Sequence, residues 1–205
     1  MSRPESRLSR QKIAAVAIAL ADKEGFEAVS MRRVAQELGV GTMSLYYYVK
    51  TKDELIAVMD DALMAEALLP SLPRDWRRAM LAIAARTHSM CLRHPWAIAS
   101  MQSAPPGVNA MRHMEQCLEA LAGTSMTSEQ KITLLTTVDD FVFGHALRAA
   151  AADAAHDIEF ARSQLATGAF PRLAEVFAKG RIDAKKDRFE RTVRTLLDSV
   201  VSGKG

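Results

Sequence analysis

The stretch Ser30-Met-Arg-Arg-Val-Ala-Gln-Glu-Leu-Gly-Val-Gly-Thr-Met-Ser-Leu-Tyr-Tyr-Tyr-Val49 decides how the chain is read. The hydroxyl of Ser30 can cap a helix whose inner side carries Met31, Val34, Ala35 and Leu38 at i, i+3, i+4 and i+7. Gly39-Val40-Gly41 then forces a turn, and a short helix follows over about Thr42 to Val49. Two short helices around a glycine turn make a helix-turn-helix, with the second helix small enough to lie in a DNA major groove.

Upstream, a helix from about Leu8 to Lys23 ends at Gly25 and places Ile13, Val16, Ala17 and Leu20 at helical spacing. Arg7, Arg10 and Lys12 ahead of the apolar run from Ile13 to Ala21 imitate a short signal peptide. The run is assigned to the fold because the motif downstream needs a helix there to close its core. Residues 1–52 hold nine basic side chains (Arg3, Arg7, Arg10, Lys12, Lys23, Arg32, Arg33, Lys50, Lys52) against five acids (Glu5, Asp22, Glu24, Glu27, Glu37), although the net charge of the whole chain is only +3. A polyanion would be met at this end.

Downstream, Thr51-Lys52-Asp53-Glu54 reads as a capping box opening a fourth helix, with Leu55, Met59, Ala62 and Leu63 on its apolar face. Pro70 and Pro73 mark the end of the head. A helix from Trp76 to about Arg93, with Trp76, Met80, Ile83 and Thr87 on one side, is stopped by His94-Pro95. Trp96 to Gly107 reads as a loop or short irregular helix, and a helix from about Asn109 to Ala122 comes next. After the Thr127-x-x-Gln130 cap a long helix is expected from about Ser128 to His156. It is apolar on two faces, Ile132, Leu135, Val142 and Ala146 on one and Leu134, Val138, Phe141 and His145 on the other, so it must be covered twice. The last helix, about Ala184 to Ser202, carries Phe189, Val193, Leu196 and Val200 as a packing stripe.

No run alternates like a strand, and the 205 residues, 49% of them hydrophobic, suit a small head on a larger helical body. Cys91 and Cys117 lie far apart without metal-ligand partners, which implies neither a disulfide nor a zinc site and points to a reducing cytoplasm. No stretch approaches the roughly 18 apolar residues of a membrane span. The chain lacks His-Glu-x-x-His, a Glu-x-x-His pair, a glycine-rich phosphate loop and a nucleophile elbow, so no enzyme, cofactor or metal site is expected.

Residues 10 to about 60 resemble the tetracycline-repressor family of regulators. The likeness lies in the aliphatic first helix, Gly25-Phe26, Ser30-Met31-Arg32, Val34-Ala35, Leu38-Gly39-Val40, Leu45-Tyr46, Val49-Lys50 and Lys52-Asp53-Glu54-Leu55, all in order. The resemblance implies an all-α protein with a three-helix DNA-binding head, residues 1–52, and a helical ligand-binding and dimerisation domain, residues 53–205. Thr42, Met43, Ser44 and Tyr47 are the candidates for base edges, since hydroxyls bond to bases of either kind and a thioether packs on a thymine methyl. Tyr46, Tyr48 and Lys52 are candidates for phosphates, and Arg32 matches a family position that reaches a guanine. Three consecutive tyrosines cannot all face outward, and Tyr48 is the one expected to be partly core. Arg33 and Lys50 are expected to be solvated or bonded locally.

In the body the likeness continues in His94-Pro95-Trp96, Pro106-Gly107-Val108-Asn109-Ala110-Met111, Phe141-Val142-Phe143-Gly144-His145 and Phe170-Pro171-Arg172-Leu173, which resemble the tetracycline-repressor branch. That branch holds a drug-magnesium chelate with a histidine and an acid, and here Met101 and Arg148 stand in their places. A chelate is therefore not the expected effector, because magnesium requires oxygen ligands. His88, Cys91, Trp96, Met101, Met114, Cys117, Phe141 and His145 are the candidates for lining a mainly apolar effector cavity. Each also has an ordinary reading as core. Asp139 and Asp140 in the long helix need a partner, Arg148 or a ligand amine, unless both face water.

The resulting expectation is a homodimeric repressor on a palindromic operator, with half-sites about 34 to 36 Å apart, released when a small apolar effector binds. The alternative is a dimer that binds DNA without a ligand or docks another protein.

Overall fold

The computed structural model describes residues 8–101, 105–151, 154–179 and 185–202. The described residues form eleven α-helices and no strand.

The head begins with α1 (Arg10–Glu24), capped by the Ser9 hydroxyl, which accepts from the Lys12 N–H. Ile13, Ala14, Ala17, Ile18, Leu20 and Ala21 are its buried side, and Gly25, at φ 90°, ends it. A 3-10 turn (Phe26–Ala28) leads to α2 (Met31–Glu37), whose cap is the Ser30 hydroxyl on the Arg33 N–H. Gly39 at φ 67° reverses the chain, a conformation that a side chain disfavours. Next comes α3 (Thr42–Tyr46), shorter than expected because the chain tightens at Tyr47 and Tyr48, where the Tyr48 and Val49 N–H groups both return to the Leu45 carbonyl.

Then α4 (Lys52–Ala67) packs on α1 and, further along, on helices of the body. Its cap differs from the reciprocal box expected. Thr51 accepts from the Glu54 N–H, but the Glu54 carboxylate takes the Lys50 N–H and the Arg10 guanidinium instead. These bonds hold its carboxyl below the ordinary range, the Lys50 N–H contributing most.

The body comprises α5 (Trp76–Arg93), α6 (Ala97–Met101), α7 (Val108–Ala120), α8 (Ser128–Ala151), α9 (Ala154–Ala166), α10 (Pro171–Lys179) and α11 (Lys185–Ser202). The Asp75 carboxylate caps α5, and Thr127 and Gln130 cap α8 reciprocally, as the spacing predicts. One long helix to His156 was expected. Helix is described over Ser128–Ala151 (α8) and, beyond residues 152–153, which lie outside the described set, over Ala154–Ala166 (α9), past the expected end at His156. The segment read as a loop or irregular helix holds α6, while residues 102–104 also lie outside the described set.

α8 packs on α5 and α11. The buried stripe of α11 is Phe189, Val193 and Leu197, one position on from the expected Leu196; the Val200 side chain is outside the described set.

The interior has two connected parts. Ile13, Val34, Leu45, Val49, Leu55, Met59 and Leu63 of the head share one cluster with Met90, Cys91, Ile98 and Ala146 of the body. Met80, Ile83, Leu121, Leu134, Leu135, Val138, Val142, Phe189, Val193 and Leu197 make the other. Each large apolar side chain so buried contributes about 1.5 to 3 kcal/mol. Because the first cluster runs through α4, head and body are joined by packing as well as by the chain. Among the described residues no helix is long and apolar enough to cross a membrane.

Candidate functional site

Leu45 and Val49, both fully buried, fasten α3 to the head and fix which way its other residues point. Met43, Ser44, Tyr46 and Tyr47 are exposed, Met43 at 80% and Tyr47 at 78%, and Thr42 is half-buried beside them. Tyr48 packs against the head core with its ring edge-on to Tyr47, 5.3 Å between centroids. The outer face thus offers a hydroxyl, a thioether and two phenols on a rigid support.

The cations around it fall into two groups. Arg33 is bound by Glu37 at 2.5 Å and Glu24 at 2.8 Å, and these carboxylates raise its guanidinium above its ordinary value. Arg10 is paired with Glu54, and the Lys50 ammonium lies on the Tyr47 carbonyl. Arg32 and Lys52, by contrast, are exposed and make no hydrogen bond or ion pair among the described residues. Arg32 and Lys52 flank α3, one before it and one after.

In the body, the residues expected to line one cavity divide among several places. His88 and His145 meet directly, Nε2 to Nδ1 at 2.8 Å. Phe189 stacks on His88 at 4.1 Å and on Phe141 at 5.5 Å. Burial, with the second imidazole adding to it, pushes His88 down to about 4, so the His88 ring is neutral at pH 7. Nearby, the Thr87 hydroxyl and His113 Nε2 are 3.1 Å apart, and burial lowers His113 as well.

Cys91 and Cys117 are buried free thiols. Burial, reinforced by the charge of Asp139, raises them to about 11 and about 12. Asp139 is itself lifted to about 6 by burial and then by Asp140. Neither aspartate pairs with Arg148 among the described residues, because the Arg148 guanidinium folds back over Gly144 on its own helix.

Met101 lines a separate cavity of about 220 Å³ with Asp60, Asp61, Met64, Gly107, Ala110, Phe143 and the Pro105-Pro106 pair. Asp60 is only 7% exposed. The Ser100 hydroxyl donates to its Oδ1 at 2.7 Å, and its Oδ2 has no partner among the described residues. Burial lifts this carboxyl to about 6 against the effect of Ser100.

Two candidates stand elsewhere. Trp96 stacks on Phe26 at 5.4 Å, and its indole N–H donates to Asp22 Oδ1 at 2.8 Å. His94 Nδ1 lies at the same distance from that oxygen, so Trp96 belongs to the joint between α1 and the body. Met114 is exposed because α7 turns His113 and Cys117 inward.

Asp60, Ser100 and His113 were not foreseen. The signal at Asp60 was an acid set among Ile56, Met59, Leu63 and Met64 on an apolar helix.

Residues 13–59 match the family described as bacterial regulatory proteins of the tetR family, and residues 69–201 match the tetracyclin repressor-like C-terminal domain. The chain belongs to the TetR family. It is 36% identical over 187 residues to the HTH-type transcriptional repressor DrrR1 of Streptomyces coeruleorubidus, covering 87% of this chain and 67% of DrrR1. Its fold is similar to that of apo ActR from Streptomyces coelicolor, with 25% identity and a TM-score of 0.84 over 99% of this chain and 98% of that one. It is similar also to ActR in complex with actinorhodin, with 26% identity and a TM-score of 0.81 over 98% of each chain. As a TetR-family protein it is a DNA-binding transcriptional regulator and not an enzyme. The two matched regions meet across α4, the helix that packs on both.

Proposed function

We propose that this TetR-family regulator is a homodimeric repressor that reads a roughly palindromic operator through α3 and is released by a small, mainly apolar effector held in its body. One observation carries the reading. The exposed face of α3 is flanked by Arg32 and Lys52, cations without acidic partners among the described residues, while Arg10 and Arg33 are neutralised by Glu54, Glu24 and Glu37. Thr42, Met43, Ser44 and Tyr47 meet base edges. Tyr46 and Lys52 hold phosphates, with the Tyr48 hydroxyl at the margin, and Arg32 reaches a guanine.

A second copy is supported by apolar surface that a lone chain leaves in water: Ile132 and Leu147 on α8, Phe160 on α9, and Leu173, Val176 and Phe177 on α10. An interior effector is supported by the mainly apolar cavity that Met101 lines with Met64, Ala110 and Phe143. A ligand favouring another spacing of the two heads lowers DNA affinity by the same factor that DNA lowers ligand affinity.

The test is selection of bound sequences from random duplex DNA at low salt, with an Arg32→Ala, Tyr46→Ala double variant as control. A palindromic motif that the variant loses supports the reading. A motif without two-fold symmetry, or one that the variant retains, overturns it.

A further inference from the structure

We propose that the cavity between α4, α6 and α8 is an amine subsite, in which a ligand's ammonium group binds Asp60 Oδ2 while its apolar skeleton packs on Met64, Met101 and Phe143. This deepens the effector reading above and rests on it.

Two adjacent carboxylates on α4 are used differently. Asp61 is fully engaged: it accepts the Asn109 backbone N–H on Oδ1 at 2.7 Å and the Asn109 side-chain amide on Oδ2 at 3.0 Å, which ties α4 to the start of α7. The fit is close, since a Cβ on Gly107 would come within 2.2 Å of Asp61 Oδ1. Asp60 is more than nine-tenths buried and uses one oxygen only. Ser100 is satisfied in turn, lying 3.1 Å from the Ala97 carbonyl. A buried carboxylate oxygen with no donor is costly, and its residue, Asp60, is one of those that line the cavity.

The walls decide what fits. Beside Asp60, the Asn109-bound Asp61 and Gly107, the lining is two thioethers, a phenyl ring, an alanine and two prolines, whose side chains donate no hydrogen bond to a ligand. Thioethers are polarisable, and the face of an aromatic ring attracts a cation. A neutral hydroxyl would satisfy the oxygen but leave the carboxylate charge buried, whereas an ammonium supplies both donor and counter-charge. A metal is disfavoured, since among the described residues no three ligating side chains converge. At about 220 Å³ the space is below the roughly 300 to 1,000 Å³ of a whole ligand pocket. It therefore takes one ring and its amine, or that end of a larger effector.

The position gives the subsite a regulatory meaning. Asp60 stands midway along α4, which starts beside the DNA-reading helix, and Ser100 stands on α6. A cation drawn to Oδ2 acts on both helices.

The full-length protein is titrated calorimetrically with 2-phenylethylamine, 2-phenylethanol and propylbenzene. The amine is expected to bind at least about tenfold more tightly than the alcohol, a difference of about 1.4 kcal/mol. Asp60→Asn is expected to abolish that preference. Near pH 6, where Asp60 is about half protonated, amine binding should release about half a proton per site, read from two buffers of different ionisation enthalpy. Equal binding of amine and alcohol by the wild type, no detectable amine binding up to its solubility, or a preference surviving in Asp60→Asn would each overturn the proposal. The first two need no variant to fold. Operator selection with the same preparation separates the readings: protein that selects a motif but ignores the amine loses only the subsite, and protein that selects nothing loses the regulatory reading beneath it.

Discussion

Replacing Asp60 with Asn keeps the side chain's shape and its bond from Ser100 while removing the buried charge. Burial lifts the Asp60 carboxyl from an ordinary 3.8 to about 6, and two units correspond to about 3 kcal/mol of differential stabilisation. The new amide leaves a donor unpaired where Oδ2 stood, at about 1 to 2 kcal/mol. The variant should therefore be more stable by about 1 to 2 kcal/mol at pH 7.5, or roughly 2 to 8 °C in melting temperature for a chain of this size. The sign of the pH dependence follows from the raised carboxyl. Between about pH 4 and pH 6 the folded chain keeps a proton that the unfolded chain releases, so wild-type stability from this site falls as pH rises through that window. The advantage of Asn is thus absent near pH 4 and complete above about pH 6.5. Thermal melts of both proteins at one concentration, taken across that range, measure it. A variant melting at or below the wild type at pH 7.5, or a difference that does not change with pH, would refute the reasoning.

Other perturbations separate the head, the joint and the body. Lys52→Ala should weaken binding to all duplexes alike and flatten the logarithmic salt dependence by about two in a dimer, one phosphate per protomer; Arg32→Ala should instead relax discrimination at one base pair per half-site by about 1 to 3 kcal/mol, both read by anisotropy on mutated operators. Asp22→Ala leaves the His94 ring and the Trp96 indole without their shared acceptor, and should lower the urea midpoint by an amount equal to about 1 to 3 kcal/mol at unchanged slope. His88→Phe removes a ring that burial and His145 hold neutral down to about 4. The wild type loses stability from that ring as pH falls from about 6.5 to 4, so the variant should gain on it in acid, opposite in direction to Asp60→Asn.

The head was legible because its signals are local. Ser30, Gly39, the spacing of Val34, Leu38 and Leu45, and the crowding of three tyrosines each dictate geometry within a turn or two. In the body, the helical pattern from Ser128 reads as ending near His156, although residues 145–166 hold neither glycine nor proline and helix is described as far as Ala166. The short sequence of α10 does not mark it out, although Gly168 and Pro171 punctuate the chain at its start. Phe189 was placed on the right side of its helix, but nothing local could say that it would meet His88. Trp96 and Met114 were grouped by chemistry, and only the turn of α7 and the reach of Asp22 across the joint separate them from the interior. Asp60 was missed for the converse reason: a pair of acids on a helix ordinarily marks its wet side, and burial of one depends on α6 folding over it.

The two cysteines have a practical consequence. Both thiols are enclosed and protonated far above neutral pH, so neither competes for an alkylating spin label or fluorophore in the folded protein. A single cysteine introduced at Gln36 or Ser44, both exposed, would take the label alone. In a two-fold assembly the pair of labels reports the span between heads, so pulsed dipolar spectroscopy could follow that span with and without effector in a protein whose own sulfur is untouched.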